Sequence, residues 1–259
     1  MPQPVAAFLH HSLILKTALA DCLEDPNPKA VHKLRSTTRR LEAVLEVVNA
    51  STDLPSLTKR SRGFKRLLHK IRRAAGDVRD LDVHRELLSH YQSIVGATEL
   101  YTNLKNKRKK KAKRLQQHIR AKEAEIRHTL ERLEIIFVGL PYLNLSGGRL
   151  IQITRGWLAP VLRNLDPHHD EDLHSIRKAC KSARYMAEIG SETSEVAAKL
   201  TKRLNGVQQT TGAWHDCLLL LSRAQSSLPS ESPFTERLYA KTRRLRQQAE
   251  SKAAHFLKA

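Results

Sequence analysis

Between Val31 and Leu41 the chain reads Val-His-Lys-Leu-Arg-Ser-Thr-Thr-Arg-Arg-Leu, and on a helix these residues sort into two chemically opposite faces. At about 100° per residue, with His32 at zero, Arg35 falls near 300° and Arg39 near 340°. Leu34, Leu41, Leu45 and Val48 gather on the far side, between about 160° and 220°. One face can enter a core while the other presents an imidazole and two guanidinium groups in a row. A basic row with no acid between its members is a candidate anion site.

The same layout returns later as Leu173-His174-Ser175-Ile176-Arg177, followed by Lys181 and Arg184. With His174 at zero, Arg177, Lys181 and Arg184 lie near 300°, 340° and 280°. A second motif, Gly-x-x-basic-Asp, also occurs twice, as Gly76 to Asp80 and Gly212 to Asp216. Both motifs recur in the same order at an offset of about 140 residues, far too long for a solenoid repeat. The expected architecture is therefore all-α. It consists of two pseudo-symmetric four-helix bundles from an internal duplication, residues 1–140 and 141–259 of a single domain, with the break at Gly139 to Gly148. An approximate two-fold would turn the two basic faces toward one central cavity or groove.

Composition agrees with this. Aromatic residues make up 5% of the 259, and Gly and Pro number ten each, so long helices meet little punctuation. The net charge is +20, from 46 Lys and Arg against 26 Asp and Glu, which favours nucleic acid, anionic membranes or free polyanions as partners. Three well-separated cysteines without a CxxC suit a reducing compartment. Neither a signal peptide nor a membrane-spanning run is evident, so the expectation is a soluble cytoplasmic protein.

Other segments add basic surface. The third helix should carry Arg62, Lys65, His69, Arg72 and Arg79 on one face, bend at Gly76 and end near Gly96. In the fourth, eight of the ten residues from Lys105 to Arg114 are Lys or Arg, a run expected to bury no face. Lys202 and the stripe Lys241, Arg244 follow in the second half, and Trp157 and Trp214 are expected in the core.

These motifs together resemble the CHAD family, the conserved histidine α-helical domain. The resemblance rests on His32-x-x-Arg35-x-x-x-Arg39-Arg40-Leu41, Gly76-x-x-Arg79-Asp80-Leu81-Asp82, His174-x-x-Arg177-x-x-x-Lys181-x-x-Arg184-Tyr185 and Gly212-x-x-His215-Asp216. It implies that the ligand is inorganic polyphosphate; with no acidic cluster, P-loop or HExxH in the sequence, binding without catalysis, cofactor or metal is expected. The candidate contacts are His32, Arg35, Arg39, Arg40, Lys65, His69, Arg72, Arg79, Lys105 and Lys109 from the first half. From the second half they are His174, Arg177, Lys181, Arg184, Lys202, Lys241 and Arg244. Association with polyphosphate granules would fit such a ligand. The halves are not identical: ten positions after the histidine the first has Glu42 where the second has Arg184.

Three other classes fit parts of the sequence. Nonspecific nucleic-acid binding suits the charge, but the basic faces lack interleaved aromatics and no reading motif is present, so only weak binding is expected. A metal-dependent phosphohydrolase would need converging His and Asp ligands, of which His168-His169-Asp170 and His215-Asp216 are fragments. Glu123-x-Glu125-x-Arg127 resembles the strand motif of triphosphate-tunnel enzymes but lies in a helical pattern. Membrane binding lacks bulky apolar residues beside the basic ones.

Overall fold

The structure is a computed structural model and describes residues 4–51, 55–91, 93–140, 143, 145–229 and 231–258. Among these residues the chain forms helices and no strands. In order they are α1 (Pro4–Glu24), α2 (Pro28–Ser51), α3 (Pro55–Ser89), α4 (Ala97–Val138), α5 (Gly147–Leu162), α6 (Asp170–Glu188), α7 (Glu195–Gln225) and α8 (Pro233–Lys258). Local chemistry sets several starts. Asn27 Oδ1 accepts from the Lys29 and Ala30 amides at 3.0 Å and Pro28 opens α2. Ser146 and Ser194 cap α5 and α7 in the same way, while Asp170, Glu171 and Asp172 place negative charge in the first turn of α6.

Burial follows the apolar stripes and produces three clusters. The first joins α1 to α4 around Phe8, Leu34, Phe64, Leu130 and Phe137, with Phe8 stacked on Phe137 at 3.8 Å. The second joins α5 to α8 around Leu150, Ile176, Met186 and Trp214, and takes in Ala43 and Val47 of α2. A third crosses between the halves, from Leu81 and Leu88 of α3 and Leu100 and Leu104 of α4 to Leu220, Phe234 and Leu238 of α7 and α8. In the middle α2 packs on α3 and α6, and α7 packs on α6 and α3, so these four helices enclose the centre.

Four details differ from the sequence reading. Helix α3 runs through Gly76 without interruption. That glycine serves a close approach, because a Cβ there would collide with Arg35 Nη1. Helix α3 stops at Ser89, and Gly96, at φ 89°, sets the start of α4 instead. The Lys105 to Arg114 run does turn one side inward: Ala112 is buried, and Arg108, one turn before it, is largely covered. Its guanidinium donates to Asp82 Oδ1 at 2.6 Å and to the Pro26 carbonyl at 2.7 Å, so a charge inside the run is satisfied by partners in α3 and the α1–α2 turn. Trp214 is buried as expected, whereas Trp157 is only half-buried and walls a surface groove.

Candidate functional site

Where the four central helices meet they leave a cavity of about 280 Å³. Helix α2 supplies His32, Arg35, Ser36 and Arg39; α3 supplies Arg79, Asp80 and Val83. From the other half come Arg177, Lys181 and Tyr185 of α6, with Gln208, Gln209, Gly212, Ala213 and Asp216 of α7. The spacing of the basic residues on α2 and α6 brings each set to one face, and the α2–α6 contact turns the two faces toward each other.

Five Arg and Lys side chains thus line the cavity against two carboxylates. Asp216 stands 3.7 Å from Arg177 and 3.5 Å from His215. Arg35, Arg39, Arg79 and Lys181 form no ion pair within 4.0 Å among the described residues. Such a cluster is expensive when half-buried, and the titration of its members records the cost. Burial, followed by the charges of Arg39, Arg177 and Arg35, brings the Lys181 amine down to about 7. Arg39 falls to about 10 through burial and its neighbours Arg72 and Arg35, with Glu42 opposing. Arg35 is also lowered by burial, although Asp80 pulls the other way. His32 is lowered by burial and by Arg79, Lys181 and Arg35.

The acids behave as counter-charges. Burial raises Asp80, assisted by Asp216 and opposed by Arg35. For Asp216 burial acts upward too, but the close His215 imidazole and Arg177 outweigh it, and the carboxyl is held below its ordinary range. An arrangement of converging donors, several without an internal partner, is chemically ready for an extended anion.

A family model for the CHAD domain matches residues 7–225. The chain belongs to the CHAD-domain family. Its fold is similar to a crystal structure of the CHAD domain from the plant Ricinus communis, at TM-score 0.68 and 17% identity, covering 96% of this chain and 90% of that one. It is similar as well to PptA from Streptomyces chartreusis, at TM-score 0.66 and 17% identity over the whole of both chains. No curated protein sequence matches it.

Within this CHAD fold the cavity gathers six of the seventeen sequence candidates: His32, Arg35, Arg39, Arg79, Arg177 and Lys181. His174 is not among the lining residues. It stacks on His215 with ring centroids 4.7 Å apart, and burial plus the His215, Lys178 and Arg177 charges bring it down to about 4. Arg40 and Arg184 both turn to Glu188, at 2.8 Å and 3.0 Å, and both guanidiniums lie over the Tyr185 ring. Arg40 thereby braces the α2–α6 junction, while Arg184 pairs within α6 and donates to Gln208 of α7 at 2.8 Å. Arg72 pairs with Glu42, which therefore anchors an arginine, and Lys65 pairs with Glu46 at 2.7 Å.

Lys65 and His69 line a separate outer groove. Lys105, Lys109 and Lys202 are exposed on α4 and α7, Lys241 donates to the Tyr91 hydroxyl at 3.1 Å, and Arg244 faces the α7–α8 surface. Sequence reasoning missed Tyr185, Gln208 and Gln209 as lining residues. A usable signal was present, because Gln208 and Gln209 lie four and three residues before Gly212, on the same helical face.

The hydrolase fragments do not converge: among the described residues no group of three His, Cys, Asp or Glu could hold a metal ion. Glu123 and Arg127 pair along α4 at 2.7 Å. No helix among the described residues is long and apolar enough to cross a membrane.

Proposed function

We propose that this chain binds inorganic polyphosphate, without turning it over, in the cavity between α2, α3, α6 and α7. The observation that carries the reading is the set Arg35, Arg39, Arg79 and Lys181, drawn from three helices into one cavity with no ion-pair partner among the described residues. A chain of linked phosphates offers an acceptor to each donor and requires nothing that reads a base. A double helix is far too wide for a cavity of about 280 Å³, which favours a slim polyanion over duplex DNA. Weak nonspecific contact with nucleic acid then belongs to the exposed lysines of α4.

The duplication reading is supported by one paired detail. Arg35 packs against Gly76, and Arg177 lies 3.8 Å from where a Cβ on Gly212 would stand, so the two motifs meet in both halves. Residence in the cytoplasm, with recruitment to polyphosphate granules, follows from the ligand and forms part of the proposal.

The test compares long-chain polyphosphate, short phosphates, duplex DNA and RNA at physiological salt, with Arg35→Glu and Arg177→Glu in parallel. Long chains should bind most tightly and both variants should weaken them. Equal affinity for DNA together with silent variants would sink the reading. Phosphate release in Mg²⁺ or Mn²⁺ would move it toward a hydrolase.

A further inference from the structure

A second cavity, about 720 Å³, opens between α3 and α5 and is chemically two-ended. Arg62, Arg66 and Lys70 lie along one exposed face of α3, and none of them makes an ion pair or hydrogen bond to a described residue. The opposite wall holds the half-buried ring of Trp157 and the carboxylate of Glu46, whose Oε1 takes Lys65 at 2.7 Å. Trp157 packs on one side against the second core cluster and also walls two neighbouring cavities. Next to it on α5, Gly156 has nothing within 4 Å of where a Cβ would stand.

A bare polyanion makes poor use of this wall. Trp157 offers it no charge, and Glu42 and Glu46, already paired with Arg72 and Lys65, offer it no donor. The complementary ligand has an anionic end for α3, hydroxyl donors for a carboxylate, and a flat apolar end for an indole. The volume is that of a single small-molecule site.

We propose that this groove binds a nucleoside polyphosphate, its base stacked on Trp157, its ribose hydroxyls donating to Glu46 and its phosphates on Arg62, Arg66 and Lys70. The groove shares no lining residue with the central cavity, although a small cavity walled by Arg39, Glu42, Trp157 and Tyr185 adjoins both, and the proposal does not depend on the polyphosphate reading.

The test uses ATP and inorganic triphosphate on the full chain in an Arg35→Glu background, which cripples the central cavity. The chain has two tryptophans and Trp214 is 1% exposed, so quenching of emission reports Trp157. ATP should quench saturably and bind about tenfold more tightly than triphosphate, the size of one base–aromatic stack. Trp157→Ala, followed by calorimetry, should lower ATP affinity by about the same factor, Trp157→Phe should retain most of it, and Arg62→Glu with Arg66→Glu should weaken it further. Equal affinity for ATP and triphosphate, or a Trp157→Ala protein that binds ATP as its parent does, overturns the proposal. If Trp157→Ala fails to fold, the wild-type ring with the two ligands, and the Phe variant, still decide.

Discussion

The two halves bring nearly the same letters to the centre and use them differently. In the first half His32 lines the cavity, Arg35 presses on Gly76 with Asp80 acting on it only at longer range and no ion pair among the described residues, and Arg39 stands beside it as a second guanidinium. In the second half His174 has left the cavity for a stack on His215, and Arg177 shares its charge with Asp216. Lys181 takes the place of Arg39 on its helix and is an amine brought down to about 7. The first half therefore supplies permanent charge, and the second supplies a group whose charge depends on what is bound. Repetition of a motif does not make its copies equivalent, because each copy meets different neighbours.

The largest expected effect comes from removing the unpaired guanidinium. Arg35→Ala should cost about 2 kcal/mol of polyphosphate binding, about 30-fold in Kd, whereas Arg177→Ala should cost about half that free energy, because Asp216 already neutralises part of its charge. Equal losses by calorimetry would erase the distinction between the halves.

The glycines sharpen it next. Gly76→Ala should drive the Arg35 guanidinium away and weaken binding by about tenfold. In Gly212→Ala the nearest atom is an ordinary contact, so binding should hold within about twofold while thermal unfolding moves up, by helix propensity worth about 0.5–1 kcal/mol.

The pH dependence follows from Lys181, whose amine falls from an ordinary 10.5 to about 7. Between those values the unfolded chain holds the proton and the folded chain does not. The penalty of this residue on stability is therefore full below about 7 and fades as pH rises toward 10.5. Polyphosphate restores the charge, so binding at pH 8 should take up a proton and affinity should fall as pH rises above 7. Calorimetry in buffers of different ionisation enthalpy checks this, and Lys181→Arg should abolish the uptake.

The smallest effect is expected outside the comparison. Lys105→Ala with Lys109→Ala should weaken polyphosphate by no more than about threefold, the scale of exposed charges screened by salt. A complete loss would relocate the site to α4.

Sequence periodicity determined much of this molecule. The helices of the described residues, the opposed faces of α2 and α6, and the basic stretches that line the cavity are all legible in apolar spacing, since a stripe of Leu and Val every three or four residues leaves water by packing on a helix face. The local code could not say which cation would be matched. Arg108 sits in the densest basic run and is internally paired, while Arg79 adjoins Asp80 in sequence and forms no ion pair among the described residues. Arg40 and Arg184 looked equal to Arg39 and are taken by Glu188, a residue 148 positions from Arg40. Trp157 looked like core and became the wall of a groove. For Arg40 and Arg108 the carboxylate comes from another helix, and those distances exist only once α2 lies on α6 and α4 on α3.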